Sequence, residues 1–86
     1  MNNNQFQEVL RRSRIEAGLS FNLLAERSSV DVAYIHRLET GRATRPGRDV
    51  LIRLGVGLGF DVQGLDEILR AAGHLPLTRS SVGSSE

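Results

Sequence analysis

Eleven arginines and no lysine carry the chain's basic side-chain charge. Three of them, Arg42, Arg45 and Arg48, recur every third residue through a segment that also holds Gly41, Pro46 and Gly47. A fourth, Arg37, precedes them in a stretch of apolar periodicity. A guanidinium is charged at any physiological pH and presents five donors in a flat fork, which suits oxyanions. Its placement supports that chemistry. Through Leu58 nine arginines stand against six acids, a balance of +3, whereas from Gly59 onward two arginines face four acids, a balance of −2. The first part is therefore the one suited to face an anion. Other chemistry has few candidates. The chain has no cysteine, which excludes disulfides, thiolate zinc sites and thiol catalysis. His36 and His74 lie far apart with no third ligand at a metal-binding spacing. Neither a Gly-x-Ser-x-Gly elbow nor a phosphate loop is present, and the serines crowd toward the C-terminal end. These residues predict a binding protein without catalytic residues, metal, cofactor or small-molecule substrate.

The elements that must position the arginines can be read from spacing. Eighty-six residues make one domain, and 40% hydrophobic with 24% charged residues is a globular composition. No apolar run approaches the roughly 18 residues of a membrane span. The opening Met1-Asn-Asn-Asn-Gln5 lacks the blocks of a secretory signal, so a cytoplasmic location is expected. Apolar spacing predicts a helix over Asn4–Ala17, with Phe6, Val9, Leu10 and Ser13 on one face and Gly18 after it. Ser20 should cap a second helix with Phe21, Leu24 and Ala25 inward. Asp31 should cap a third, with Ile35 and Leu38 inward and Gly41 at its end. A fourth runs over Arg48–Leu58, and a fifth over Val62–Ala72 ahead of Gly73 and Pro76. The expected fold is all-α, a compact bundle of about five short helices. Residues 1–5 are expected to be flexible, 6–77 to form the domain, and the Ser- and Gly-rich 78–86 to be a disordered tail.

Two short helices joined by Ser28-Ser-Val-Asp31 have the sequence form of a helix-turn-helix. The second helix of such a pair fits the DNA major groove. Ala25 is small where the helices must cross, and Val30, Ile35 and Leu38 are apolar where the second must dock. Around them stand Arg14-Ile-Glu-Ala-Gly-Leu-Ser20, Leu24-Ala-Glu-Arg27, Tyr34-Ile-His-Arg-Leu-Glu39, Gly41 and Pro46, then Leu51-Ile-Arg-Leu54 and Leu58-Gly59. On this ordered series the chain resembles the Xre/Cro-CI family of bacterial and phage transcriptional regulators, with a lambda-repressor-like DNA-binding domain. The likeness runs in register from about residue 6 to residue 72.

The resemblance implies sequence-specific binding of double-stranded DNA, with the helix over about 31–40 in the major groove. It also implies a structural ion pair between Arg14 and Glu39. A carboxylate late in a helix opposes the macrodipole, and an arginine can answer it with two bonds. Implied base-edge contacts fall on Val32, Ala33 and Arg37. Arg37 can take guanine O6 and N7 together, while Val32 and Ala33 can touch thymine methyls. With Ile35 and Leu38 inward, Val32, Ala33, His36 and Arg37 should point outward; Tyr34 and His36 are expected at sugar or phosphate. Phosphate contacts are further expected from backbone N–H groups near Ser20 and Phe21 and from Arg42, Arg45 and Arg48, which position without reading sequence. Spaced arginines also keep loops solvated, but the adjacent recognition helix and the scarcity of acids favour DNA.

Three residues depart from the family pattern. Phe21 stands where Gln is usual, Ser29 where the turn usually has Gly at positive φ, and Asp31 where Ser or Thr is usual. Phe21 cannot donate a hydrogen bond and is expected to staple the helix or meet a partner. Gly55 and Gly57, inside the fourth helix, either permit close helix approach or weaken the helix by about 1 kcal/mol each. Apolar Val32, Ala33 and Phe21, with the acidic second part, leave an alternative on the same fold: a protein-interaction module such as an antitoxin or switch partner. One helix-turn-helix covers one half-site, so a homodimer through the C-terminal helix is expected, with Leu65, Ile68, Leu69, Leu75 and Leu77 as its candidates. Leucines at that spacing also make plain core.

Overall fold

A computed structural model describes residues 2–78 of the chain. They form α1 (Asn2–Glu16), α2 (Phe21–Ser28), α3 (Val32–Thr40), α4 (Arg48–Gly57) and α5 (Val62–Ala71), with no strand among the described residues. The helix starts are set by side-chain caps. Ser20, Asp31 and Asp61 each accept a bond from the amide three residues on, Leu23, Tyr34 and Gly64 respectively. Such caps are typically worth about 1 kcal/mol apiece. α1 begins at Asn2, inside the segment expected to be flexible. Once a helical nucleus exists, each further residue adds a backbone bond at little cost, so polar residues extend a helix that the apolar face starts.

The core draws on every helix. Leu10 of α1, Leu24 of α2, Ile35 and Leu38 of α3, Leu51 and Leu54 of α4, and Ile68 and Leu69 of α5 are fully buried. Each such side chain contributes about 1.5–3 kcal/mol relative to exposure. α2 packs chiefly on α4, α4 on α5, and α1 on both α5 and α3, while α2 and α3 form the helix-turn-helix pair. This arrangement narrows the residues expected to join two copies. Leu65, Ile68 and Leu69 are buried inside their own protomer, because α1 and α4 already cover the apolar stripe of α5. Of the five candidates, Leu75 and Leu77 remain exposed.

The two glycines of α4 permit close approach. A Cβ on Gly57 would lie 3.0 Å from Ser28 Cβ and 3.1 Å from Ser28 N, so only a hydrogen lets α4 pass the end of α2. A Cβ on Gly55 would collide with Leu65 Cδ2 on α5. Helix propensity is given up here for two helix contacts.

Residues beyond α5 form a strap held at three places. His74 Nε2 lies 3.0 Å from the Pro46 carbonyl oxygen, a hydrogen bond when that nitrogen carries the proton. Arg48 donates through Nη1 to the Leu75 carbonyl at 2.7 Å and through Nη2 to the Pro76 carbonyl at 3.3 Å. The buried Asp66 carboxylate accepts from Leu77 N at 2.6 Å and Thr78 Oγ1 at 2.7 Å. The tail expected to be free from Thr78 is therefore tethered at its first residue, because a buried carboxylate must recruit donors. Residues 79–86 of that tail lie outside the described residues.

Candidate nucleic-acid interface

α3 owes its orientation to two buried residues and a cap. Ile35 and Leu38 are fully buried, and Asp31 Oδ2 accepts from Tyr34 N at 3.2 Å. With those side chains inward, Val32, Ala33, His36 and Arg37 are all exposed, as their spacing predicts. The turn before α3 is tight. Ser29 adopts the left-handed conformation, φ 59° and ψ 30°, as expected for the position that the family gives to glycine. Ser28, buried beneath, accepts from Val30 N at 3.3 Å and closes the turn. At the other end Thr40 Oγ1 donates to the His36 carbonyl at 3.0 Å, and Ala43 N donates to the Arg37 carbonyl at 3.0 Å.

The Arg14–Glu39 pair is present and bidentate. Nε donates to Oε2 at 2.7 Å and Nη2 to Oε1 at 3.1 Å, while Nη1 reaches the Leu19 carbonyl at 3.0 Å. The two side chains are 13% and 4% exposed, so water screens the pair little. The pair joins the end of α1 to the last turn of α3 and holds α3 against the body.

Phe21 belongs to the same assembly, a role sequence reasoning did not supply. Its half-buried ring lies 4.0 Å beneath the Arg14 guanidinium carbon, and its centroid is 5.0 Å from that of His36, tilted by 57°. Arg14, Phe21 and His36 thus stack in series, linking the ion pair to the outer flank of α3. A cation over an aromatic face is worth about 0.5–2 kcal/mol, more as it is desolvated. Phe21 takes no part in hydrogen bonding through its side chain, yet it braces His36. The sequence signal was only the aromatic at a position where the family has Gln.

The remaining candidates divide. Ser20 Oγ accepts from Leu23 N at 3.1 Å, leaving the first amides of α2 without intrahelical acceptors, as at any helix start. Tyr34 is half-buried and packs on the core, with the Arg37 guanidinium carbon 5.8 Å from its ring centre. It supports Arg37 from below and is less free than expected. Arg42 and Arg45 are exposed, and Arg45 has φ 56°. Arg48 is less free than expected: Nη1 and Nη2 each give one N–H to a strap carbonyl, so the fold uses this side chain to hold the strap. Regular spacing placed three arginines in a row, but the fold leaves two of them to the surface.

Among the described residues the one displaced titration lies away from this surface. Asp66 is held below the ordinary carboxylate range, chiefly by the Thr78 hydroxyl, with the Leu77 and Thr78 amides and the Arg70 charge adding and burial opposing. No helix among the described residues is long and apolar enough to cross a membrane. The sequence matches the model of a family described as a helix-turn-helix domain over residues 5–68. No curated protein and no solved structure matches the chain.

Proposed function

Because the chain belongs to the helix-turn-helix domain family, we propose that it binds double-stranded DNA sequence-specifically as a transcriptional regulator, with α3 in the major groove. The observation that carries this reading is the outer flank of α3. Val32, Ala33, His36 and Arg37 are exposed together while Ile35 and Leu38 anchor the helix from behind. In this reading Arg37 addresses guanine, and Val32 and Ala33 meet thymine methyls. Tyr34 steadies Arg37, and His36, propped on Phe21, reaches the sugar-phosphate edge. Arg42, Arg45 and the first amides of α2 near Ser20 hold phosphates. The chain binds and does not catalyse, and it works in the cytoplasm with the chromosome.

Selection from a random duplex library tests binding, specificity and site symmetry at once. Enrichment of one motif is expected, with affinity falling steeply as salt rises because phosphate contacts release counterions. A motif made of two half-sites about one helical turn apart would identify two copies on DNA. Leu75 and Leu77 are then exposed apolar residues after α5 that could join them. The exposed apolar side chains of Leu23 and Val32 favour a second reading, an interface with another protein. Such an interface is salt-insensitive, and a chain that binds no duplex at low salt belongs to it.

A further inference from the structure

A cavity of about 200 Å³ opens between the start of α1, the loop after α3 and the end of α5. Its wall includes Phe6, Pro46, Ala71 and Ala72 as apolar surface, and its two charged residues are both arginines, Arg45 and Arg70. Phe6 and Pro46 are buried, so that part of the wall is fixed by the core. Among the described residues neither guanidinium stands in an ion pair, although the charge of Arg70 is felt by Asp66 one turn earlier on α5. Arg45 sits in left-handed backbone, a conformation that non-glycine residues keep only where the surroundings over-determine it.

We propose that this cavity binds a small monocarboxylate with an apolar body about one ring in size, its carboxylate held by Arg45 and Arg70. The volume is appropriate, since an engineered apolar cavity of about 150 Å³ takes benzene. Two guanidiniums with no acid among the cavity's lining residues favour a guest that carries a negative charge. Ala72 and Gly73 bring the negative end of the α5 dipole to the same wall. An anion there consequently depends on both arginines. One consequence rests on the DNA reading above. Arg45 is also a phosphate contact in that reading, so ligand and duplex compete for one guanidinium, and the cavity acts as an effector site that weakens DNA binding.

Benzoate titrated into the full chain at constant ionic strength, followed by amide chemical shifts, tests the site without DNA. Saturable shifts are expected at residues 43–45 and 70–73. The uncharged benzamide should bind at least about tenfold more weakly, the factor expected for losing a charge-assisted hydrogen bond. Arg70→Gln should lose a similar factor, whereas Arg27→Gln, an exposed arginine outside the cavity, should bind like the parent. No saturable shift, equal binding of benzamide, or equal loss in R27Q would overturn the site. In a second arm benzoate should displace a bound duplex from the parent but not from R70Q, and sodium chloride at equal ionic strength should not. Benzoate binding in a chain that binds no duplex refutes the DNA reading and supports the site. A bound duplex indifferent to saturating benzoate overturns the competition.

Discussion

Removing either partner of the Arg14–Glu39 pair should have unequal consequences, and the inequality follows from what each partner keeps. In Arg14→Met, Glu39 loses both donors while its side chain remains only 4% exposed at the unfavourable end of α3. An uncompensated buried charge costs about 3–5 kcal/mol. In Glu39→Gln, Arg14 keeps the Leu19 carbonyl at 3.0 Å and the Phe21 face at 4.0 Å, and it is 13% exposed. Those contacts offset part of the loss, leaving a cost of about 2 kcal/mol. Domains of this length have a total stability of about 4–12 kcal/mol, so the arginine variant should lie near the limit of folding. Urea unfolding followed by circular dichroism measures both singles and the double variant. The double should cost less than the sum of the singles by about 1–3 kcal/mol, since its second change removes a charge already orphaned. Equal costs below about 1 kcal/mol, or a larger cost for Glu39→Gln, would show that the pair is effectively solvated and would refute the reasoning.

Gly57→Ala should destabilise by about 1–3 kcal/mol in calorimetry despite the better helix propensity of alanine, because the new methyl meets the Ser28 backbone. Ser29→Gly should stabilise by up to about 1 kcal/mol in urea unfolding, relieving a left-handed serine against the entropy of a freer unfolded chain. Asp66 has a lowered folded pKa, so its contribution is fully present above the unfolded carboxylate value of about 3.9 and is lost as pH falls through the folded value. The protection of the Leu77 amide, measured as its exchange rate relative to the intrinsic rate at each pH, should therefore fall on acidification in the parent and already be low at neutral pH in Asp66→Asn. On DNA, Arg37→Ala should cost about 1–3 kcal/mol on the selected site and relax one base position, while Arg45→Ala should weaken all duplexes alike and flatten the salt slope by about one charge. Arg48→Ala should leave that slope unchanged; a flattened slope in this variant would return Arg48 to the phosphate contacts.

Much of this molecule is local and was legible as such. The helices follow from apolar spacing, and the starts of α2 and α3 from Ser20 and Asp31, whose caps reach only three residues along the chain, as that of Asp61 does in the structure. The exposed flank of α3 follows in the same way, because burying Ile35 and Leu38 leaves Val32, Ala33, His36 and Arg37 outside. The family pattern added the long-range Arg14–Glu39 pair, which no periodicity contains. What the tertiary structure decided is the use of each polar or apolar group whose partner lies far along the chain. Arg48 looks like Arg42 and Arg45 until Leu75 and Pro76 arrive beside it, and the α5 leucines look like an interface until α1 and α4 cover them. Phe21 looks like a lost hydrogen bond until Arg14 and His36 pack against its ring. Caps and apolar faces depend on neighbours a turn away, so the chain states them directly. A free guanidinium or an open leucine is defined by what does not pack on it, and only the assembled fold determines that.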